Sequence, residues 1–258
     1  MKKIITLFII VLSLNISAQH TGEFVDKRDE KKYKTVVIGT QTWMAENLNV
    51  EKFQNGDKIP EAKTNEEWLN ALKKKKPAWC YYNNDPVNGL KYGKLYNWYA
   101  VSDKRGLAPN GWHISSSTDW YELLTFIGGE NSQLSGFKLK SKSGWARRYG
   151  ACKTDNNGGD DYGFNALPGG KRFDSGYWDD GMAVDDFCNQ YVEGKNAAYW
   201  WASTEFNEQN SWLITNKGYQ FLDGLGNPDG TGFEKFERTS SDVANSKAAG
   251  LSVRCVKD

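Results

Sequence analysis

The chain has 258 residues, enough to bury a sizeable hydrophobic core without help from metal ions. Its 33 lysines and arginines balance 32 aspartates and glutamates, so no overall field attracts a nucleic acid or an anionic membrane surface. With 11 Trp, 13 Tyr and 12 Phe beside 26 Gly, the composition predicts a core of large flat side chains joined by tight turns. We therefore expect a folded domain and no nucleic-acid partner.

Residues 1–18 have the pattern of a secretory signal peptide. Two lysines precede an apolar run over residues 4–14, and the small residue Ala18 suits a cleavage site. The run is shorter than the roughly 20 residues that cross a bilayer, so we predict cleavage and no stable membrane anchor afterwards. The first cysteine is Cys80, which argues against a lipid anchor at the new N-terminus. We expect a secreted or periplasmic protein.

Residues 19–32 are polar and charged without hydrophobic periodicity, which predicts a short flexible leader. The domain is predicted to span residues 33–258. Residues 33–38 are rich in β-branched side chains, a Gly-Thr pair interrupts them, and residues 41–44 resume the pattern. This arrangement predicts a β-hairpin.

Three segments have helical patterns. Residues 65–72 begin with acidic side chains and end in a lysine run, as the helix dipole prefers. Residues 95–101 place apolar side chains on one face, which predicts a shorter helical piece. The strongest pattern is in residues 116–129, where Ser116 and Asp119 have capping-box spacing and glycines supply the stop. Two or three helices are therefore expected.

Beyond residue 150 the pattern changes to short apolar segments between glycine and aspartate clusters, which predicts short strands. The predicted strands cover residues 163–167, 199–203, 211–215, 219–222 and 251–256. Helices early in the chain and strands late favour a single α+β domain with a mostly antiparallel sheet.

Several segments, in order along the chain, resemble the Fibrobacter succinogenes major paralogous domain. They are Thr35–Gly39, Trp43–Leu48, Cys80–Asp85, Tyr92–Val101, Leu107–His113, Gly163–Gly170, Tyr199–Glu205 and Ser252–Asp258. That family is similar in turn to the formylglycine-generating-enzyme and C-type-lectin superfold. The resemblance implies a C-type-lectin-like fold and implies little about activity, because fold alone is a weak guide to function.

The four cysteines are Cys80, Cys152, Cys188 and Cys255, and an even number in a chain predicted to be exported favours disulfide bonds. Their spacing leaves three pairings open. The family resemblance implies a bond between Cys80 and Cys255, which leaves Cys152 for Cys188. No two cysteines have a Cys-x-x-Cys spacing and the chain has only 2 histidines, so neither a zinc site nor a thiol-redox motif is expected.

Catalysis is not expected from the residue pattern. The formylglycine-generating enzymes use two closely spaced cysteines before the terminal strand, and residues 233–250 contain none. His113 has no nucleophile or second histidine near it in sequence, so a structural role is expected. Adjacent aspartates such as Asp185 and Asp186 lack the separation across a cleft that glycoside hydrolysis requires. The alternative function is a degraded or novel enzyme of the formylglycine-generating superfold.

Residues 155–161 combine aspartates, asparagines and glycines, which offer oxygen donors for a hard cation. The candidate calcium ligands are Asp155, Asp160 and Asp161. The same residue types make ordinary turns, and the segment lacks the closing glutamate of an EF-hand loop. The triplets with which C-type lectins hold calcium and sugar do not occur either. We expect a turn and no cofactor, with calcium as the alternative.

Residues 169–199 interleave aromatic rings with glycines and aspartates, which is typical of a recognition loop. Trp178 is the leading candidate for a ligand anchor, with Tyr177, Asp179 and Asp180 beside it, since rings stack on sugars and carboxylates bind their hydroxyls. The alternative is a hydrophobic cluster beneath a long loop.

Trp201 is a further candidate ligand residue. Alternation along a strand is expected to place one ring of the Trp200–Trp201 pair inside and the other outside, with core packing favoured over ligand contact for the pair. These patterns predict an exported binding or structural module, without catalytic activity, whose partner is an extracellular glycan or protein.

Overall fold

The computed structural model describes residues 20–129, 135–145, 157–173, 175, 178–179, 184–185, 190–191, 197–205, 211–217, 236–239 and 247–258. The strands are β1 (Thr21–Asp26), β2 (Lys31–Ile38), β3 (Gln41–Met44), β4 (Trp79–Cys80), β5 (Leu95–Tyr96), β6 (Trp112–Ile114), β7 (Lys171–Arg172), β8 (Trp178–Asp179), β9 (Val184–Asp185), β10 (Gln190–Tyr191), β11 (Ala197–Glu205), β12 (Ser211–Lys217), β13 (Phe236–Thr239) and β14 (Cys255–Lys257). The helices are α1 (Asn65–Lys73), α2 (Pro86–Tyr92), α3 (Trp98–Val101), α4 (Ser117–Ile127) and α5 (Ser135–Leu139), with a 3₁₀ turn at Tyr82–Asn84. This mixture of helices and antiparallel sheets confirms the predicted α+β class.

The largest sheet has the strand order β1-β2-β3-β14-β6. The predicted hairpin is confirmed, because β2 and β3 pair antiparallel with Ile38 opposite Gln41. The last strand, β14, lies between β3 and β6, where Val256 is opposite Trp43 on one side and His113 on the other. The end of the chain therefore completes the sheet that the first described strands begin.

The predicted flexible leader is wrong for its described part, because residues 21–26 form β1 and pair with β2 along their whole length. Phe24 stacks on Tyr33 and on Trp112, with ring centroids 5.4 and 4.5 Å apart. Asp26 is buried and pairs with Arg28. The strand is at the edge of the sheet and mostly exposed, so its polar sequence has little hydrophobic alternation from which to predict it. Residues 1–19, with the predicted signal peptide, lie outside the described residues.

Helix α4 is the element that the sequence predicts most clearly. The Ser116 hydroxyl accepts a hydrogen bond from the Asp119 N–H, and the Asp119 carboxylate accepts one from the Ser116 N–H. The helix ends at Gly128, whose φ of 133° a residue with a side chain rarely adopts. Its inner face buries Trp120 and Leu124 with their neighbours one turn away. The predicted capping box is confirmed.

The other helices agree with the sequence in part. Helix α1 confirms the prediction for residues 65–72 and buries Trp68. The segment 95–101 divides into strand β5 and helix α3, because the Asn97 side chain accepts a hydrogen bond from the Ala100 N–H and starts the helix there. Helices α2 and α5 raise the number in the described residues above the predicted two or three. Each is too short to give a periodic signal.

The later strands are also partly as predicted. Strands β11 and β12 include the predicted residues 199–203 and 211–215 and pair antiparallel. Residues 163–167 are not a strand, since they make only an isolated bridge between Lys140 and Ala166. The terminal segment forms bridges at Leu251 and Ser252 before β14 begins. Residues 219–222 lie outside the described part of the chain.

Strand β11 is covered on both of its faces. Trp200 packs in one hydrophobic cluster and Trp201 in another, and neither ring has exposed surface. Trp201 Nε1 donates a hydrogen bond to the Tyr96 carbonyl at 2.7 Å, and its ring contacts Trp98 edge-on. The prediction of Trp201 as a ligand residue is therefore wrong. Alternation separates the two rings as expected, but both sides of the strand are core.

Asn47 connects its own segment to three distant parts of the chain through four hydrogen bonds. Its Oδ1 accepts hydrogen bonds from Trp200 Nε1 at 2.8 Å and from Arg254 Nε at 2.9 Å. Its Nδ2 donates to the Tyr92 carbonyl at 2.8 Å and to the Ser252 hydroxyl at 3.2 Å. Asn47 is buried, so its amide satisfies polar groups that water does not reach. This residue fixes how the segments that carry the family resemblance meet.

Arg254 is a fully buried guanidinium that is held mainly by carbonyl oxygens. It donates to the backbone carbonyls of Met44, Phe164 and Asn165. Its guanidinium carbon lies 4.3 Å from the centre of the Phe164 ring. Burial lowers the pKa of Arg254 to about 9, so it stays charged at neutral pH. The cation ties the last strand to the loop before β7.

Cys80 and Cys255 are buried thiols that belong to different hydrophobic clusters. The predicted bond between them is not formed in the structure. Burial raises the pKa of Cys80 to about 12 and also raises the pKa of Cys255. Cys152 and Cys188 lie outside the described residues, and their pairing stays a prediction.

We expect Cys80 and Cys255 to react slowly with iodoacetamide in the native protein and rapidly after unfolding, because burial excludes the reagent and suppresses the thiolate. Peptide mass spectrometry measures both reactions. Alkylation in denaturant without a reductant is the control, and both cysteines should then be fully labelled. Recovery of a linked peptide pair that contains both of them would contradict the free-thiol state.

Candidate ligand-binding groove

The outer face of α4 carries two exposed aromatic side chains. Tyr121 and Phe126 are 47% and 55% exposed. Together with Glu122 and Thr125 they lie opposite the buried face of the helix, because residues four positions apart share a helix face. The same helix that supplies core packing thus presents a row of rings and polar groups to the surface.

The β2–β3 turn, residues 37–41, forms the wall that faces α4. Gly39 adopts a φ of 62°, which residues with side chains rarely adopt. A Cβ atom at this position would lie 3.1 Å from the Phe126 ring. Glycine at position 39 therefore lets the ring lie directly against the turn.

A third side of the groove comes from Asp161 and Tyr162. The rings of Tyr162 and Phe126 meet edge to face, with centroids 6.1 Å apart and an interplanar angle of 66°. His20 also lines the groove. The groove has a volume of about 910 Å³, toward the upper end of the roughly 300–1,000 Å³ that is typical of small-ligand sites.

The charge of the groove is negative. Its described lining includes Glu122 and Asp161 and no lysine or arginine. Gln41 Nε2 donates to Glu122 Oε2 at 3.2 Å, while Gln41 Oε1 accepts a hydrogen bond from Trp43 Nε1 at 3.0 Å. The buried Trp43 side chain thus fixes the orientation of the Gln41 amide, and this amide in turn holds the Glu122 carboxylate. The lining offers hydrogen-bond acceptors and disfavours an anionic ligand.

The acidic segment forms a turn in its described part. Asp160 Oδ1 accepts a hydrogen bond from the Asn165 N–H at 2.7 Å, and the Gly163 N–H donates to the Asp160 carbonyl. Burial raises the pKa of Asp160. Among the residues that the structure describes, no group of three or more His, Cys, Asp or Glu side chains is arranged to hold a metal ion. Asp155 lies outside them, and calcium binding here is untested.

Trp178, the leading anchor predicted from sequence, is half-buried. Its ring packs edge-on against Tyr82, with centroids 5.2 Å apart, and the Arg172 guanidinium lies 4.8 Å from its centre. These contacts fit the alternative prediction of a hydrophobic cluster beneath the loop. Asp179 pairs through its backbone in β8. Tyr177 and Asp180 lie outside the described residues, so the binding role of this loop stays a prediction.

His113 connects α4 to the end of the chain. Its Nδ1 is 2.8 Å from an Asp258 carboxylate oxygen and its Nε2 is 3.2 Å from Asp119. The Ser116 hydroxyl donates to the same Asp119 oxygen and not to the imidazole. Both imidazole nitrogens are thus within hydrogen-bond distance of carboxylates, which fits the predicted structural role.

The family model of the Fibrobacter succinogenes major domain matches residues 36–257. The chain belongs to this family. The match confirms the resemblance of the ordered segments, and it includes all of the described groove residues except His20. No curated protein and no solved structure matches the chain. A C-type-lectin-like topology for this family member stays a prediction.

The groove residues of this family member were not predicted from sequence. The sequence places Tyr121 and Phe126 in a helix but does not mark them as a site, because the interleaved rings, glycines and aspartates of residues 169–199 are the stronger signal of a recognition loop. A signal was present, since both rings fall on the polar side of a helix whose other side already has a complete apolar stripe.

No helix in the described ranges is long and apolar enough to cross a membrane.

Proposed function

We propose that this protein is an exported, non-catalytic binding module that recognises a neutral extracellular glycan in the groove between α4 and the β2–β3 turn. The observation that carries the proposal is the arrangement of exposed rings beside fixed acceptors. Tyr121 and Phe126 are exposed on α4, Tyr162 lies against Phe126, and the carboxylates of Glu122 and Asp161 line the same groove.

The chemistry of the lining favours a sugar over other small ligands. A pyranose ring has apolar C–H faces that stack on aromatic rings, and its hydroxyls donate to carboxylates. The groove volume of about 910 Å³ is larger than a single sugar ring needs, which suits a polymer segment. The two carboxylates repel uronic acids and sulfated sugars, so a neutral glycan fits best.

We expect neutral β-linked oligosaccharides of glucose, xylose or mannose to bind more tightly than oligomers of galacturonic acid, because only the latter carry charge of the same sign as the groove. Isothermal titration measures each affinity. Replacing Phe126 with alanine should weaken binding of a neutral oligosaccharide by about tenfold or more, the loss expected for an aromatic anchor.

Leu90→Ala is the matched control. Leu90 is 88% exposed on α2 and does not line the groove, so its removal should leave affinity unchanged. Melting temperatures of both variants should stay close to that of the parent protein, because both side chains are largely exposed. Undiminished binding by Phe126→Ala, or failure of every neutral oligosaccharide to bind, would overturn the proposal.

A further inference from the structure

A buried lysine lies away from the groove, in the segment between α2 and β5. Lys94 is 3% exposed. Its Nζ lies 4.4 Å from the centre of the Trp79 ring and 4.8 Å from that of Tyr81. Lysines are rarely buried unless they are paired, so the groups around this amine decide what it does.

The amine of Lys94 faces a side-chain amide and a carboxylate. Nζ is 2.6 Å from Asn49 Oδ1, 3.2 Å from the Tyr81 hydroxyl and 3.4 Å from Glu51 Oε1. Asn49 is held in place at two points. Its Nδ2 donates to the Gly89 carbonyl at 2.9 Å, and its backbone N–H donates to the Tyr33 hydroxyl at 3.0 Å.

These contacts bring a nucleophile close to an electrophilic carbon. The Asn49 carbonyl bond is about 1.2 Å long, so Lys94 Nζ is at most about 3.8 Å from Asn49 Cγ. That distance is close to the separation of reacting atoms in conformers that precede bond formation. Burial lowers the pKa of Lys94, which increases the fraction of the neutral amine that can attack.

We propose that Lys94 and Asn49 form an intramolecular isopeptide bond. The lone pair of Nζ attacks Asn49 Cγ, the Nζ–Cγ bond forms and the Cγ–Nδ2 bond breaks. Glu51 accepts a proton from Nζ and returns it to the leaving nitrogen, which departs as ammonia. No atom is oxidised or reduced, so the step needs no co-reactant. Asn49 is itself only partly buried, which lets ammonia leave toward solvent.

The bond would connect the loop after β3 to the segment before β5. A covalent link between distant residues limits the conformations of the unfolded chain, as a disulfide does. Reductants do not cleave an amide. The crosslink would therefore stabilise the protein under reducing conditions, in which a disulfide would be broken. The inference is independent of the glycan-binding groove.

The test is a protease digest of the purified mature protein, analysed by mass spectrometry. We expect a joined pair of peptides that contains Asn49 and Lys94, with a total mass lower by one ammonia than the two separate peptides. Recovery of both peptides separately and unmodified would overturn the proposal, whatever the variants do. Ammonia loss from an N-terminal Gln19 is distinguished because it leaves no joined peptides.

Variants assign the reacting groups. Lys94→Arg and Asn49→Ala should each abolish the joined pair, while Glu51→Gln should lower its yield at least several-fold. Lys91→Arg is the matched control, since Lys91 lies three residues away over the Tyr92 ring and should leave the crosslink intact. Persistence of a joined pair in Lys94→Arg would contradict the assignment.

Discussion

Replacing Asn47 with alanine should lower the free energy of unfolding by about 3 to 5 kcal/mol, because the change removes four buried hydrogen bonds, one of them from a buried cation. Trp200 Nε1 and the Tyr92 carbonyl each lose a hydrogen bond to the amide. Arg254 keeps its charge in the core but loses one of its acceptors. Chemical denaturation of the parent and variant measures the difference.

The matched control for this prediction is Asn55→Ala. Asn55 is exposed and, within the described part of the chain, its side chain exchanges hydrogen bonds with Asp57 two positions away. Its replacement should change stability by no more than about 0.5 kcal/mol. If Asn47→Ala lowered the free energy of unfolding by less than about 1 kcal/mol, the hydrogen bonds of the Asn47 amide would not be what holds these segments together.

Replacing Trp201 with alanine should also destabilise the protein strongly, by about 3 to 5 kcal/mol, because the ring is fully buried and its removal leaves a cavity. The variant additionally removes one of the two hydrogen bonds that the Tyr96 carbonyl accepts, the other coming from the Leu251 N–H. Thermal and denaturant unfolding measure the effect. Glycan affinity, measured where the variant is still folded, should not change, because Trp201 does not line the groove.

Tyr121→Ala is the contrasting variant. Its ring is about half exposed on the outer face of α4, so stability should change by less than about 1 kcal/mol while glycan affinity falls. If Trp201→Ala instead reduced binding with no loss of stability, the assignment of β11 to the core would be contradicted.

Local sequence signals predicted the elements that local chemistry determines. The capping box at Ser116 and Asp119 predicted where α4 begins, and a Gly-Thr pair predicted the β2–β3 hairpin. These features depend on residues a few positions apart, so the sequence displays them directly. The order of the segments that resemble the family likewise predicted that the chain belongs to it.

Features that depend on distant contacts could not be predicted in the same way. The charged sequence of β1 gave no sign that Phe24 stacks on Trp112. Alternation correctly separated Trp200 from Trp201, but only the tertiary structure shows that both faces of β11 are covered. The groove combines α4, the β2–β3 turn and Tyr162, which are far apart in sequence.

The central claim is that the ligand site is this groove, and backbone amide NMR during titration with a neutral β-linked oligosaccharide tests it most directly. The account predicts that chemical-shift changes concentrate in residues 37–41, 121–126 and 161–162. Changes that concentrate instead around Trp178 and the rest of residues 169–199, with the groove amides unmoved, would contradict it.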